Sequence, residues 1–233
     1  MKGKLYIVPT FLSDADSNTI LEGNKTVVNT LTCFIVEDVK TARRHLRAMG
    51  YKKNFDEEVT FFEWDKHKGN PIHSWLEKCE QGFDVGLMSE CGTPCIADPG
   101  NLIVKEAHRK SIQVVPMVGA NSILLALMAS GFSGQQFSFH GYLPIQSADR
   151  IKKLRQLEEL AKRTGFTQLF METPFRNESM LRDVFIALQP STLFHVSCDL
   201  TLATEFTATK KIEDWKKEKH TFQKRYCIYA IGV

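Results

Sequence analysis

No apolar run in this 233-residue chain approaches the ~20 residues that a membrane-crossing helix needs, so no span is expected. The opening Met1-Lys2-Gly3-Lys4-Leu5-Tyr6-Ile7-Val8-Pro9 is basic, but its apolar stretch is too short for a signal peptide and reads as a first strand. Six cysteines, at 33, 79, 91, 95, 198 and 227, show no disulfide-framework spacing, which points to reduced thiols in a cytoplasmic protein. Cys91 and Cys95 form a close pair without a second cysteine or histidine pair at zinc spacing, and none of the seven histidines sits in an H-E-x-x-H pattern; no metal is expected. Charge of one sign is also lacking. Thirty Lys/Arg against 27 Asp/Glu leave a net +3, which by itself marks no nucleic-acid footprint. Repeats, low-complexity tracts and linker-like stretches are absent as well, so the chain reads as an ordinary globular protein with 43% hydrophobic residues.

What is present alternates strand with helix. Strands are expected at 4–9, 32–37, 59–64, 84–88 and 112–116, and helices near 17–29, 39–49, 71–81 and 101–110. This βαβ rhythm predicts a sheet with helices on its faces. Around Pro116-Met117-Val118-Gly119 the chain changes domain, giving expected domains 1–116 and 117–233. The second half carries helices at 121–130, 149–163 and 176–188, strands at 136–140, 166–171 and 192–198, and a strand, short helix and strand over 204–233. Its larger β content predicts a mixed sheet. Basic residues gather late: Lys152, Lys153, Arg155, Lys162 and Arg163 face only Glu158 and Glu159 in 151–163, and 209–225 holds seven Lys/Arg against three acids. Solvated helix faces explain this as well as a polyanionic partner does.

The richest segment is Ser89-Glu90-Cys91-Gly92-Thr93-Pro94-Cys95-Ile96-Ala97-Asp98-Pro99-Gly100. It follows an apolar strand and opens toward a helix, the place where open α/β sheets bind ligands. Gly92 and Gly100 permit close backbone approach, while Pro94 and Pro99 limit the ordering cost. A second candidate, Val118-Gly119-Ala120-Asn121-Ser122, places free amides at a helix start, suited either to an anionic group or to a plain Asn/Ser cap. A third is the strand end Met171-Glu172-Thr173-Pro174-Phe175-Arg176, which is otherwise an ordinary strand–helix turn.

The wording of these segments resembles the tetrapyrrole methylase superfamily, nearest to its branch that methylates the ribose 2′-oxygen of a cytidine in small-subunit ribosomal RNA. Gly92-Thr93-Pro94 with Ala97-Asp98-Pro99-Gly100 is similar to the family's cofactor loop, and Gly119 to Ser122 to its Pro-Gly-x-Ser turn, with Val118 in place of proline. Glu172, Pro174 and Arg176 match its Glu-Ser-Pro-His-Arg segment, with Thr173 and Phe175 substituted. Gly141-Tyr142-Leu143-Pro144 resembles Gly-Phe-Leu-Pro, and Leu200-Thr201-Leu202-Ala203-Thr204-Glu205 resembles Leu-Thr-Lys-x-His-Glu without the lysine and histidine. The likeness spans about residues 84–207.

The resemblance implies two α/β domains with a cleft between them for S-adenosylmethionine (SAM), and a homodimer. It assigns SAM contacts to Gly92, Thr93, Pro94, Ile96 and Ala97 from the first domain, and to Gly119, Asn121, Ser122, Met171, Glu172, Thr173, Ala203 and Thr204 from the second. The expected activity is RNA ribose 2′-O-methylation. Methylation of a tetrapyrrole or other small molecule, and a SAM-binding module without catalysis, are the alternatives.

The N-terminal part departs from the family. Thr10-Phe11-Leu12-Ser13-Asp14 replaces a Pro-x-Gly-Asn loop, Val36-Glu37-Asp38-Val39-Lys40 replaces Ala-Glu-Asp-Thr-Arg, and Phe61-Phe62-Glu63-Trp64-Asp65 replaces Tyr-His-Glu-His-Asn. A C-terminal extension common in that branch has no counterpart. These changes predict a kept cofactor site and an altered substrate site. Asp38 is the candidate base, or with Glu37 a helix-dipole partner; Arg43 is the candidate holder of an anionic substrate. Phe61, Phe62 and Trp64 read either as core or as a stacking surface for a flat ring.

Overall fold

A computed structural model of the chain describes residues 1–13, 19–64 and 70–233. Asp14, Asp65 and the start of the helix expected from residue 17 lie outside these. The chain divides into two compact units, Met1–Asn121 and Ser122–Val233.

In the first unit, strands β1 (Leu5–Val8), β2 (Cys33–Val36), β3 (Thr60–Glu63), β4 (Val85–Met88) and β5 (Val114–Pro116) form one sheet in the order β3-β2-β4-β1-β5. Every pairing is parallel. Helices α1 (Glu22–Val28), α2 (Val39–Ala48), α3 (Ile72–Trp75), α4 (Glu77–Glu80) and α5 (Asn101–Arg109) connect them. β2 and β4 are buried along their whole length, which is why they read as unbroken apolar runs rather than alternating ones. Gly86 in β4 is obligatory for packing, because a Cβ there would lie 2.8 Å from the Phe34 ring. The single helix expected over 71–81 is instead two short turns meeting at Leu76, which is fully buried beside Trp75.

The second unit holds β6 (Phe137–Tyr142), β7 (Thr167–Glu172), β8 (Leu193–Cys198), β9 (Phe206–Lys211) and β10 (Cys227–Gly232) in the order β6-β7-β10-β8-β9. β6 runs parallel to β7, and the other pairings are antiparallel, giving the mixed sheet. The wholly buried Cys-Ile-Tyr-Ala-Ile-Gly of β10 is its centre. Helices α6 (Ser122–Ser130), α7 (Ser147–Thr164), α8 (Asn177–Ala187) and α9 (Ile212–Trp215) complete it. α7 buries Leu154, Leu157 and Ala161 at helical spacing and ends at Gly165, whose φ of 73° makes the left-handed cap. Its Arg150 forms a buried ion pair with Asp183 of α8 at 2.5 Å and donates to the Pro144 and Ile145 carbonyls, fastening the Gly-Tyr-Leu-Pro loop to the core.

The segment expected to open the second domain belongs to the first unit as far as Asn121. Met117 N–H donates to the Ile7 carbonyl at 3.1 Å, and the Asn24 side chain donates to the Val118 carbonyl at 2.6 Å.

Candidate functional site

Because all five strands of the first sheet are parallel, the segments following β1, β2, β4 and β5 leave from one edge. β1 continues to β2 past β4, while β4 continues to β5 past β1, so connections depart in opposite directions between two neighbours. That is the switch point at which open α/β sheets bind ligands. The loop after β4 is therefore where the sequence placed it.

Its backbone is unusual. Gly92, Cys95, Ala97 and Gly100 have φ of 72°, 70°, 61° and 129°. Two of these are not glycine, and left-handed conformations at such residues persist where surrounding structure holds them, as in ligand clamps. The holding contacts combine main-chain groups with neutral side chains. The Gly92 carbonyl accepts the Thr10 N–H at 2.8 Å, the Ser89 hydroxyl at 3.2 Å and the Thr10 hydroxyl at 3.3 Å, and Gly92 N–H donates to the Phe11 carbonyl. Asn121 donates to the Thr93 hydroxyl at 2.5 Å, tying the loop to the segment after β5. Pro94 is buried within the loop, whereas Ile96 and Ala97 stand exposed at its crest.

Gly119 has a steric reason to be glycine within the first unit. A Cβ there would lie 2.1 Å from the Cβ of Pro9, so the absent side chain is filled by protein. Gly92 is likewise crowded, by Leu12 at 3.0 Å and the Ala120 carbonyl at 3.3 Å.

Asp38 caps α2, with its Oδ1 accepting the Thr41 N–H at 2.6 Å. Hydrogen bonds from Thr41, side chain first, hold its carboxyl below the usual carboxylate range, which makes it a weak base. Arg43 is paired with Asp56 at 2.8 Å and lies over the Phe55 and Phe61 rings at 5.3 and 5.5 Å. Phe61 packs on Phe34, and Phe62 and Trp64 on Trp75, so the aromatic run is half-buried against the core. His45 of α2 reaches the Glu90 carbonyl at 3.1 Å, a link between α2 and the β4 loop that no sequence motif announced.

In the second unit, Cys227 pairs with Glu172 on one side and with Cys198 on the other, so the ends of β7 and β8 share one edge of the sheet with the start of β10. Glu172 is fully buried: its Oε1 accepts from Arg176 Nη2 at 2.5 Å and from the Thr173 N–H at 2.7 Å, while Oε2 has no partner. Met171 lies in the apolar cluster with Leu169, Ile228 and Leu200, and Ser122 begins α6. Ala203 and Thr204 are exposed on a turn whose Asp199 and Thr201 have φ of 49° and 74°.

Two residues that carried no sequence signal organise that turn. Asp199 Oδ2 accepts from Arg225 Nε at 2.7 Å and from the Thr204 hydroxyl at 3.0 Å, its Oδ1 accepts the Tyr226 N–H at 3.1 Å, and Arg225 Nη2 donates to the Thr204 carbonyl.

No family model matches the chain. Among known proteins, the ribosomal RNA small subunit methyltransferase I of Pasteurella multocida is 32% identical over 184 residues, 79% of this chain and 62% of that protein. Its counterparts in Haemophilus influenzae and Halalkalibacterium halodurans are each 29% identical, over 94% and 99% of this chain and 74% and 76% of theirs. This chain thus spans between 62% and 76% of the length of these relatives. Among solved structures, the methyltransferase CobJ aligns with a TM-score of 0.61 at 16% identity, covering 99% of this chain and 94% of its own. Diphthine synthase aligns at 0.62 and 12% identity, covering 98% and 89%.

The chain has the tetrapyrrole methylase fold.

The tetrapyrrole methylase fold accounts for both sheets, and the sequence relatives are methyltransferases. Among the described residues, no three His, Cys, Asp or Glu side chains gather as a metal site, and no helix is long and apolar enough to cross a membrane.

Proposed function

We propose that the chain is a SAM-dependent methyltransferase acting on a ribose 2′-hydroxyl of small-subunit ribosomal RNA. The observation that carries this reading is the β4 loop: a rigid, partly left-handed segment with an exposed crest, at the ligand-binding edge of a parallel sheet, in a chain similar to ribosomal RNA methyltransferases. The second unit suits a nucleoside-bearing cofactor. Its buried, unpartnered Glu172 Oε2 can accept from a hydroxyl or amine, and the turn 201–204 presents exposed backbone.

Bound SAM supplies an electrophilic methyl group on a positively charged sulfur. The residues that would contact it are Gly92 to Ala97, Gly119, Asn121 and Ser122, and Met171 to Thr173 with Ala203 and Thr204. The protein's contribution is then chiefly alignment of the acceptor oxygen with the methyl carbon and exclusion of water. Asp38, with its lowered pKa, would orient the acceptor hydroxyl by accepting its hydrogen bond rather than by removing the proton. Arg43, seated on two aromatic rings, would exchange exposed Asp56 for a backbone phosphate.

The test is transfer of tritiated methyl from SAM to deproteinised ribosomal RNA from a strain lacking the protein. Label in ribose of that RNA supports the reading. Label in a porphyrin fraction alone replaces RNA by a tetrapyrrole substrate. SAM binding without any labelled product leaves a binding module. At a hundredfold excess over Kd, SAM should stabilise the fold by about 2.7 kcal/mol, seen as a raised melting temperature. A cytoplasmic homodimer completes the proposal. Leu124 and Met128, one turn apart on α6 and both exposed, offer an apolar patch for a second copy. A sedimentation mass near 26.5 kDa at micromolar concentration rejects the dimer.

A further inference from the structure

We propose that Asp199 and Arg225 are positioning residues that lock the turn 199–205 in its cofactor-binding conformation, an inference that rests on the SAM reading above. The turn leaves β8 with Asp199 and Thr201 both left-handed, at φ of 49° and 74°. Aspartate tolerates this region, but the β-branched Thr201 disfavours it, so the chain does not hold this shape by intrinsic preference alone. One carboxylate compensates. Asp199 grips the start of β10 through the Tyr226 N–H, grips Arg225, and grips the far side of the turn through the Thr204 hydroxyl. Arg225 closes the ring by donating from a second nitrogen to the Thr204 carbonyl. Within the turn, Leu202 N–H donates to the Asp199 carbonyl at 3.0 Å and Thr201 N–H to Glu205 Oε2 at 2.7 Å.

This wiring decides what the turn can offer a ligand. The Thr204 hydroxyl proton and carbonyl are both committed to the clamp, and the Leu202, Thr201 and Glu205 amides are committed within the turn. Among the described residues, no protein acceptor takes the Ala203 or Thr204 N–H, and both residues are exposed. Fixing two uncommitted donors on a rigid turn removes the ordering cost that a floppy loop would charge against binding. A planar guanidinium suits the task, since one fork reaches a carboxylate and a carbonyl at once, and a lysine ammonium lacks that geometry.

The experiment measures SAM affinity by calorimetry, and KM and kcat by methyl transfer, for wild type, Arg225→Ala, Arg225→Lys and Asp199→Ala. The control is Lys217→Ala, which removes a surface ion pair with Asp214 just past α9. Amide hydrogen exchange is followed in the same proteins. Expected results are a Kd and KM for SAM raised at least tenfold in both alanine variants, kcat at saturating SAM kept within threefold, and an intermediate value for Arg225→Lys. Exchange should quicken at 200–205 while β8 and β10 stay protected, a pattern that general destabilisation would not produce. If the alanine variants fail to fold, Arg225→Lys decides by the same two measurements. Wild-type affinity in folded Arg225→Ala and Asp199→Ala, or quickened exchange spread over the whole second sheet, overturns the clamp. Absence of SAM binding by wild type overturns the cofactor reading, and the clamp's role with it.

Discussion

The loop 89–100 and the turn 199–205 both place exposed residues at a sheet edge in left-handed backbone, yet they are held by different physics. In the first, the fixing contacts are between neutral groups: one carbonyl, that of Gly92, accepts a backbone N–H and two hydroxyls, and prolines stiffen the rest. In the second, they are ionic and lie 26 residues apart, joining Asp199 to Arg225. A device of neutral groups in a crowded loop tolerates changes of surrounding charge but no added volume. An ionic device tolerates volume and fails when one partner is lost. In the second unit His195 sits fully buried between the Thr209 and Ser197 hydroxyls at 2.8 and 2.7 Å.

The largest effect that could break this contrast is steric. Gly119→Val should cost about 3 kcal/mol, because overpacking at this level forces backbone movement and the new Cβ meets Pro9 at 2.1 Å. Urea unfolding measures it. A variant with an unchanged midpoint would mean that Pro9 yields freely and that the first edge is not volume-limited.

Next comes acid. Desolvation lowers the His195 pKa to about 4, well under the value near 6.5 in the unfolded chain. The unfolded state therefore binds the proton first, so the stability tied to neutral His195 is complete above pH 6.5 and is lost as pH falls toward 4. At 1.36 kcal/mol per pKa unit the loss is about 3 kcal/mol. Unfolding followed by Trp215 fluorescence, with Trp64 and Trp75 replaced by Phe, should show it, and His195→Gln should flatten it. An equal slope in both proteins would remove His195 from the account.

A smaller effect sharpens the first region. Asn121→Ala deletes the bond to the Thr93 hydroxyl, for about 1 kcal/mol of stability and a several-fold rise in the Kd for SAM. Loss of stability without change in affinity would separate the Asn121–Thr93 bond from the site. The smallest effect is Asp38→Asn, which keeps an N-cap oxygen for Thr41 and should cost under ~0.5 kcal/mol. Methyl transfer should stay within threefold. A hundredfold fall in single-turnover rate would instead make Asp38 the base.

Legibility in the sequence divided along the same line. The β4 loop was readable because Gly92, Pro94, Pro99 and Gly100 are local signals whose backbone consequences fall on the residues themselves. Cys95 and Ala97 carry no such signal, and their left-handed backbone is visible only in the folded chain. The parallel runs of β2 and β4 announced burial by being apolar throughout, and β10 did the same. Asp199 and Arg225 were silent, since an acid and a base 26 residues apart acquire meaning only when β8 and β10 pair. Asp38 was legible as an acid at a helix start, and the structure makes it a cap with a lowered pKa.

By itself the sequence determined the order of strands and helices, the mixed character of the second sheet and the location of the β4 loop, because hydrophobic period, glycine and proline act locally. Tertiary structure alone decided the rest. It extended the first unit to Asn121, because Met117, Val118 and Gly119 find their partners on β1, α1 and Pro9. It packed Phe61, Phe62 and Trp64 half-buried against the core, because Phe34 and Trp75 lie against them. And it built the clamp on Thr204, because only strand pairing brings a guanidinium to a carboxylate across that distance in chain.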